Sequence, residues 1–180
     1  MVKTFVSVTL GCKVNAYESD SITHELINAG FTEAMAGEVV GVAIINTCSV
    51  TSSADQKSRQ QIRRLAKRFP AAILVVMGCY AQINRELATA IPEISIVVGT
   101  SNRSKIVEYI NEYYKTKQQI VAVSENAREF TYEELKTTSL TPHARAYLKI
   151  QDGCDQFCTF CIIPLTRGKL RSRDAKDVIS

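Results

Sequence analysis

The 180-residue chain has no tryptophan and only two histidines, His24 and His143. So few imidazoles leave little from which to build a histidine metal site or a histidine-based catalytic triad. Long hydrophobic runs are absent too: nothing approaches the roughly 18 unbroken apolar residues of a membrane span. The opening MVKTFVSVTLGC carries one lysine followed by alternating β-formers. It lacks the long apolar core and small-residue cleavage site of a secretory signal. The expectation is a cytoplasmic protein with no membrane partner. An excess of one charge sign is also missing. Net charge is +4, from 22 basic and 18 acidic residues, too little to mark a nucleic-acid binder unless the basic residues cluster. Hydrophobic residues at 46% and charged residues at 22% are the balance of a folded globular chain. The length suits one ordinary domain of roughly 100–150 residues plus a remainder.

What the chain does have is six cysteines: Cys12, Cys48, Cys79, Cys154, Cys158 and Cys161. In a short secreted chain an even number would suggest three disulfides. Here no signal is visible and the apolar content is enough for a core, so such staples are not needed. Reduced thiols are better read as metal ligands or catalysts.

The first 125 or so residues alternate strands and helices. Strands are expected at Val2–Thr9, Val39–Asn46, Ala72–Met77, Ile94–Val98 and Ile120–Val123. Helices are expected at Tyr17–Ala29, Ala54–Arg68, Asn84–Ala90 and Asn102–Lys115. The nearly continuous apolar runs VVGVAIIN and AILVVM are the pattern of strands buried on both faces of a parallel sheet. The fold class is therefore α/β, an open and mainly parallel sheet. A polar stretch from Ser124 to Pro142 reads as a linker with one helical turn at Tyr132–Leu135, and a new strand is expected at Ala144–Ile150. A helix follows from Asp174. The domain division is 1–125, a linker over 126–142, and 143–180, which is too short for a core of its own and reads as the opening βα unit of a larger domain.

The cysteines sort into two sets of three. Cys154, Cys158 and Cys161 stand as C-x3-C-x2-C in one loop after a strand. Thiolates so close in sequence can turn inward on one inorganic centre, and three of them leave a four-iron cluster one ligand short. An open coordination position is where an outside molecule binds. The competing readings are a zinc knuckle or buried thiols, but zinc sites use four ligands and no histidine or fourth cysteine follows. Cys12, Cys48 and Cys79 each follow an expected strand, at separations of 36 and 31 residues, about one βα unit each. Parallel neighbouring strands would gather the three at the carboxyl edge, where open α/β sheets bind ligands. Asn46 and Thr47 have amide and hydroxyl groups to offer to sulfur. The alternative is three unrelated buried cysteines.

At these residues the chain resembles a known family. CDQFCTFC, with Phe160 before its last cysteine, resembles the radical S-adenosylmethionine (SAM) signature. TLGCKVNAYESD, INTCSVTSSADQKSRQQIRR and VVMGCYAQ resemble the three cysteine blocks of the methylthiotransferase N-terminal domain, and QDGCDQFCTFCIIPLTRGKLRSR the entry to that family's barrel. GCKVNAYES is most similar to enzymes acting on N6-threonylcarbamoyladenosine in tRNA. The isopentenyladenosine branch and the ribosomal-protein branch differ around the first cysteine. The resemblance implies two 4Fe-4S clusters: a SAM-binding one on Cys154, Cys158 and Cys161, and an auxiliary one on Cys12, Cys48 and Cys79. It implies SAM as cofactor, tRNA as substrate, Phe160 beside the cofactor, and methylthiolation at C2 of the adenine. The electron donor and sulfur source are not implied. These 180 residues are expected to hold the auxiliary cluster and not to turn over alone.

Other residues carry weaker readings. Lys13 and Asn15 either line the auxiliary site or are ordinary loop polarity, and Phe157 joins Phe160 at the SAM site or packs in the core. Arg59, Arg63, Arg64, Lys67 and Arg68 load one helix with charge, either for tRNA phosphates or as a solvated face. Arg167, Lys169, Arg171 and Arg173 form a denser run that reaches a phosphate, a SAM carboxylate or only solvent. Tyr113, Tyr114 and His143 read as structural.

Overall fold

A computed structural model describes residues 2–125, 130–135 and 147–179. Six strands, β1 (Thr4–Thr9), β2 (Thr32–Glu33), β3 (Val42–Thr47), β4 (Ile73–Gly78), β5 (Ile96–Val98) and β6 (Ile120–Ala122), form one sheet. Its order is β2-β1-β3-β4-β5-β6, and every pairing is parallel. The connecting helices are α1 (Lys13–Asn28), α2 (Ser52–Arg68), α3 (Cys79–Ile83), α4 (Arg85–Thr89) and α5 (Ile106–Thr116). Past residue 147, β7 (Gln151–Asp152) and β8 (Arg171–Ser172) pair antiparallel around α6 (Ile163–Arg167), and α7 (Ala175–Ile179) follows. None of the described helices is long and apolar enough to cross a membrane.

The apolar runs of β3 and β4 are buried over their whole length, and their side chains alternate between two cores. Ile44, Val75 and Met77 join Phe5, Ile22, Leu26, Ile106 and Ile110 under α1 and α5. Ala43, Ile45, Leu74 and Val76 join Ile62, Leu65, Tyr80 and Ala88 under α2, α3 and α4. A period of two in a strand covered on both faces needs apolar residues at every position. Each such side chain contributes about 1.5–3 kcal/mol on burial, which fixes the register of the central strands. Helix α2 buries only Ser58, Ile62 and Leu65 and starts at Thr51, whose hydroxyl accepts from Ala54 N–H at 3.1 Å. Its remaining face is polar.

Several sequence expectations change. Strand β2 was not anticipated: it is two exposed residues at the sheet edge, Thr32 and Glu33, with no apolar pattern to reveal it. Helix α3 was also missed. The turn expected at Tyr132–Leu135 is not helical. That segment carries no regular structure, with Leu135 buried and its carbonyl accepting from Tyr17 Oη at 2.7 Å. The strand expected over 144–150 falls partly outside the described residues, and 147–150 carries no strand. The ladder begins at Gln151 because that is where β8 supplies a partner, extended by the bond from Arg173 N–H to Ile150 O at 2.8 Å.

Candidate metal centre

Strands β1, β3 and β4 are direct neighbours, with Thr9 opposite Asn46 and Thr47 opposite Gly78. Cys12, Cys48 and Cys79 follow these strands by one to three residues, so all three leave the sheet along the same carboxyl rim. From β1 the chain crosses to β2 on one side, and β3 lies on the other. The rim beside Cys12 is therefore the topological switch point, the crevice where such sheets take ligands. Cys12 is exposed, while Cys48 and Cys79 are buried, and all three are free thiols.

Backbone geometry brings the Cys12 loop close to Cys48. Gly11 sits at φ +102°, and a Cβ added there would lie 2.8 Å from Cys48 Cβ and 3.0 Å from its Sγ. Gly78 sits at φ +98°, with Asn46 Oδ1 only 2.4 Å from where a Cβ would be. Cys48 is pinned to α2: its N–H donates to Ser58 Oγ at 3.3 Å, and that hydroxyl donates to Cys48 O at 2.9 Å. Cys12 and Cys48 line an open pocket of about 500 Å3 with Leu10, Gly11, Thr51 and Lys57. Among the described residues no three His, Cys, Asp or Glu side chains converge tightly enough to hold a single metal ion. A four-iron cube is a larger object. Two soft thiols on an open pocket and a third buried at the next strand end, with glycines where the chain passes closest, suit such a thiolate-liganded group.

Asn15 organises this rim. It is buried, and its amide donates to Leu10 O at 2.8 Å and to Thr47 O at 3.0 Å, tying the first cysteine loop to the strand end before Cys48. Its Oδ1 lies 3.7 Å from Cys12 Sγ and accepts from Arg167 at 2.8 Å. Asn46 and Thr47 do not serve sulfur. The Asn46 amide donates to Asn15 O and Ser19 Oγ, and the Thr47 hydroxyl to Met77 O. Both groups hold neighbouring backbone or helix in place. Lys13 is exposed and lines a separate groove with Tyr147, Leu148 and Ile150.

Cys154, Cys158 and Cys161 occupy the loop between β7 and α6. Cys154 N–H donates to Gly168 O at 3.0 Å, Gln156 N–H to Cys154 Sγ at 3.4 Å, and Cys161 N–H to Cys158 O at 3.0 Å. The bond from Cys161 closes one turn with Cys158, and Cys154 is held separately against Gly168. Phe157 and Phe160 are 67% and 91% exposed, so neither packs in the core.

Between the two thiol sets lies a buried ionic cluster that sequence reasoning missed. Glu18 is fully buried and pairs with Arg103, with Lys149 at 2.9 Å and with Arg167 at 2.8 Å. Asp152 pairs with Lys149 at 2.6 Å, Arg167 at 3.0 Å and Arg171 at 3.5 Å, and Glu133 with Arg103 at 2.9 Å. Burial alone would raise the Glu18 carboxyl, but Arg103, Arg167 and Lys149 together hold it well below its ordinary value. Asp152 is lowered in the same way: burial opposes, and Arg167 and Lys149 prevail. Burial pushes the Cys79 thiol up, and Arg167 pulls against that rise by charge and by hydrogen bond. Arg167 is thus neither a surface cation nor free to reach a substrate phosphate or SAM carboxylate, correcting both sequence readings. It is 4% exposed because three carboxylate and amide acceptors converge on its fork. A helical signal did exist: Asn15, Glu18, Ile22 and Leu26 share the 3-4-4 spacing of one buried stripe on α1.

The basic side of α2 is as exposed as its spacing suggests for Arg63, Arg64, Lys67 and Arg68, while Arg59 turns toward Tyr80. Lys57 and Arg64, with Leu10, Gln60 and Gln61, line a second hollow of about 320 Å3, which adjoins the cysteine pocket at Leu10 and Lys57. Tyr113 packs on the core, Tyr114 is 44% exposed with Lys117 over its ring, and His143 lies outside the described residues.

The model of Uncharacterized protein family UPF0004 matches residues 4–99, the stretch that carries Cys12, Cys48 and Cys79. Over 171 residues the chain is 47% identical to the threonylcarbamoyladenosine tRNA methylthiotransferase MtaB of Bacillus subtilis (strain 168), covering 95% of this chain and 38% of that protein. It is 39% identical over 176 residues to the ribosomal protein uS12 methylthiotransferase RimO of Clostridioides difficile (strain 630), covering 95% and 39%. It is 32% identical over 184 residues to the tRNA-2-methylthio-N(6)-dimethylallyladenosine synthase of Koribacter versatilis (strain Ellin345), covering 98% and 40%. The chain thus spans about two fifths of the length of the relatives it matches. A parallel sheet with one cysteine after each of three adjacent strands, matched over its length by these proteins, places the chain in the UPF0004 family, the N-terminal domain type of the methylthiotransferases.

Proposed function

We propose that the chain acts as the N-terminal part of a radical SAM methylthiotransferase whose substrate is tRNA, and that it methylthiolates C2 of N6-threonylcarbamoyladenosine. The observation that carries this reading is the placement of Cys12, Cys48 and Cys79 at the carboxyl ends of three adjacent parallel strands. The choice of substrate is supported by the printed activity of the Bacillus subtilis relative at 47% identity. In this reading residues 1–125 carry the auxiliary cluster, 126–142 link, and 143–180 open the SAM-binding domain.

When bound, two three-thiolate iron–sulfur clusters and SAM supply the radical chemistry that acid–base groups cannot perform at an unactivated aromatic C–H bond. The chain's own residues do the holding and guiding. Cys154, Cys158 and Cys161 would grip the SAM-binding cluster, with Phe160 standing exposed at its side as an apolar wall. Cys12, Cys48 and Cys79 would grip the auxiliary one. Asn15 keeps the first loop against the second. The basic flank of α2, leading to the cysteine pocket through Lys57, attracts tRNA phosphates toward it.

The test is anaerobic reconstitution of the protein followed by iron and sulfide counting. Cys12→Ala, Cys48→Ala and Cys79→Ala should each remove about half the iron and leave SAM binding in place. Zinc without iron or sulfide would overturn the reading in favour of a zinc module. Nucleosides from tRNA of a deletion strain, separated by mass spectrometry, decide the substrate: loss of the 2-methylthio derivative of N6-threonylcarbamoyladenosine supports it. Its persistence, with loss of methylthiolation on a ribosomal protein, would transfer the chain to that branch.

A further inference from the structure

Among the described residues the buried ionic cluster holds four cations, Arg103, Lys149, Arg167 and Arg171, against three carboxylates, Glu18, Glu133 and Asp152. One positive charge is in excess, inside the protein, where an uncompensated charge is costly. The geometry shows where that excess is directed. Arg167 Nη1 donates to Glu18 at 2.8 Å and Asp152 at 3.0 Å, and Nη2 to Asn15 Oδ1 at 2.8 Å. The same Asn15 Oδ1 lies 3.7 Å from Cys12 Sγ, so one side chain separates the guanidinium from that sulfur. One residue further along, Gly168 O accepts from Cys154 N–H at 3.0 Å.

We propose that Arg167 is a positioning residue of the Cys12–Cys48–Cys79 centre: its guanidinium fixes the Cys12 loop through Asn15, and its charge raises the reduction potential of an anionic iron–sulfur group held there. The inference rests on the reading that those three thiols hold such a group. A positive charge this close to the group favours the reduced cluster, whose negative charge is greater by one. The site needs arginine rather than lysine, because only a planar fork can bond two carboxylates and an amide at once. Lysine in its place would retain the charge and lose most of the geometry.

The test uses the protein with Cys154→Ala, Cys158→Ala and Cys161→Ala, so that only the first set can bind iron. It is reconstituted anaerobically and titrated by electron paramagnetic resonance. Arg167→Gln should shift the midpoint to more negative potential and change the g-values. Arg167→Lys should give a smaller shift of the same sign. Arg171→Gln removes one cation from the same cluster without touching Asn15, and it should shift the midpoint less than Arg167→Gln does. Equal shifts for Arg167→Gln and Arg171→Gln would overturn the proposal, since a general charge effect then suffices. Should Arg167→Gln fail to fold, the lysine variant decides: a midpoint and spectrum identical to the parent would refute the proposal. If the parent itself binds no iron, the cluster reading has failed, and the proposal falls with it.

Discussion

Arg167 Nη2 donates to Asn15 Oδ1 at 2.8 Å across 152 positions of sequence. One partner lies in the first turn of α1 beside Cys12, the other at the end of α6 just after Cys161. The two cysteine loops are therefore braced against each other by side chains that no local pattern links. The brace is polar and buried, so each member depends on the rest.

Asn15→Ala should unseat this brace directly. Four interactions are lost, and Leu10 O and Thr47 O lose a donor in the interior. Leaving buried acceptors unpaired costs about 1–3 kcal/mol, which for a chain of this size lowers the melting temperature by roughly 2–12 °C. Thermal unfolding of the metal-free protein measures it.

Acid should weaken the fold through Glu18 and Asp152. Both carboxyls are held below their ordinary values by Arg103, Arg167 and Lys149, against the opposing effect of burial. A lowered folded-state value means that the stabilisation is complete above the unfolded carboxylate range near about pH 4. It is lost as pH falls through the folded-state value. Glu18→Gln should cost about 3–5 kcal/mol at neutral pH, by leaving cations unpaired, and should flatten the acid limb. Urea unfolding from pH 7 down to pH 3 would show both; a parallel acid limb in the variant would count against this account.

Gly78→Ala tests the rim itself. A Cβ there meets Asn46 Oδ1 at 2.4 Å and Thr47 O at 2.6 Å, with φ at +98°. Strain of this kind costs about 1–3 kcal/mol. The new methyl would also push β3 and β4 apart just before Cys48 and Cys79. Iron uptake should fall more than secondary structure does, read by iron counting beside circular dichroism.

The α2 flank is tested by charge reversal. Lys57→Glu and Arg64→Glu should weaken tRNA binding and each lower the slope of log affinity against log salt by about 1. Filter binding over a salt series gives both quantities. Unchanged slopes would return this face to ordinary solvation.

Much of the architecture was legible because the apolar runs around Ile44 and Val75 have only one comfortable setting, a strand covered on both faces. The alignment of Cys12, Cys48 and Cys79 on one edge followed from that. Strand β2 was invisible because Thr32 and Glu33 bury nothing. Glu18, Lys149 and Asp152 were illegible for a different reason: charged residues read as surface unless their partners are known, and those partners stand up to 149 positions away. Arg167 was misread on the same ground, as one cation in an apparently exposed basic run.

The ionic cluster has a consequence for access. Peeling residues 147–172 away from the sheet would strand Glu18 without Lys149 and Arg167 in one motion, so those parts are locked like two halves of a vice. With that seam shut, the rim stays open where Cys12 meets solvent and Lys57 lines the pocket beside it.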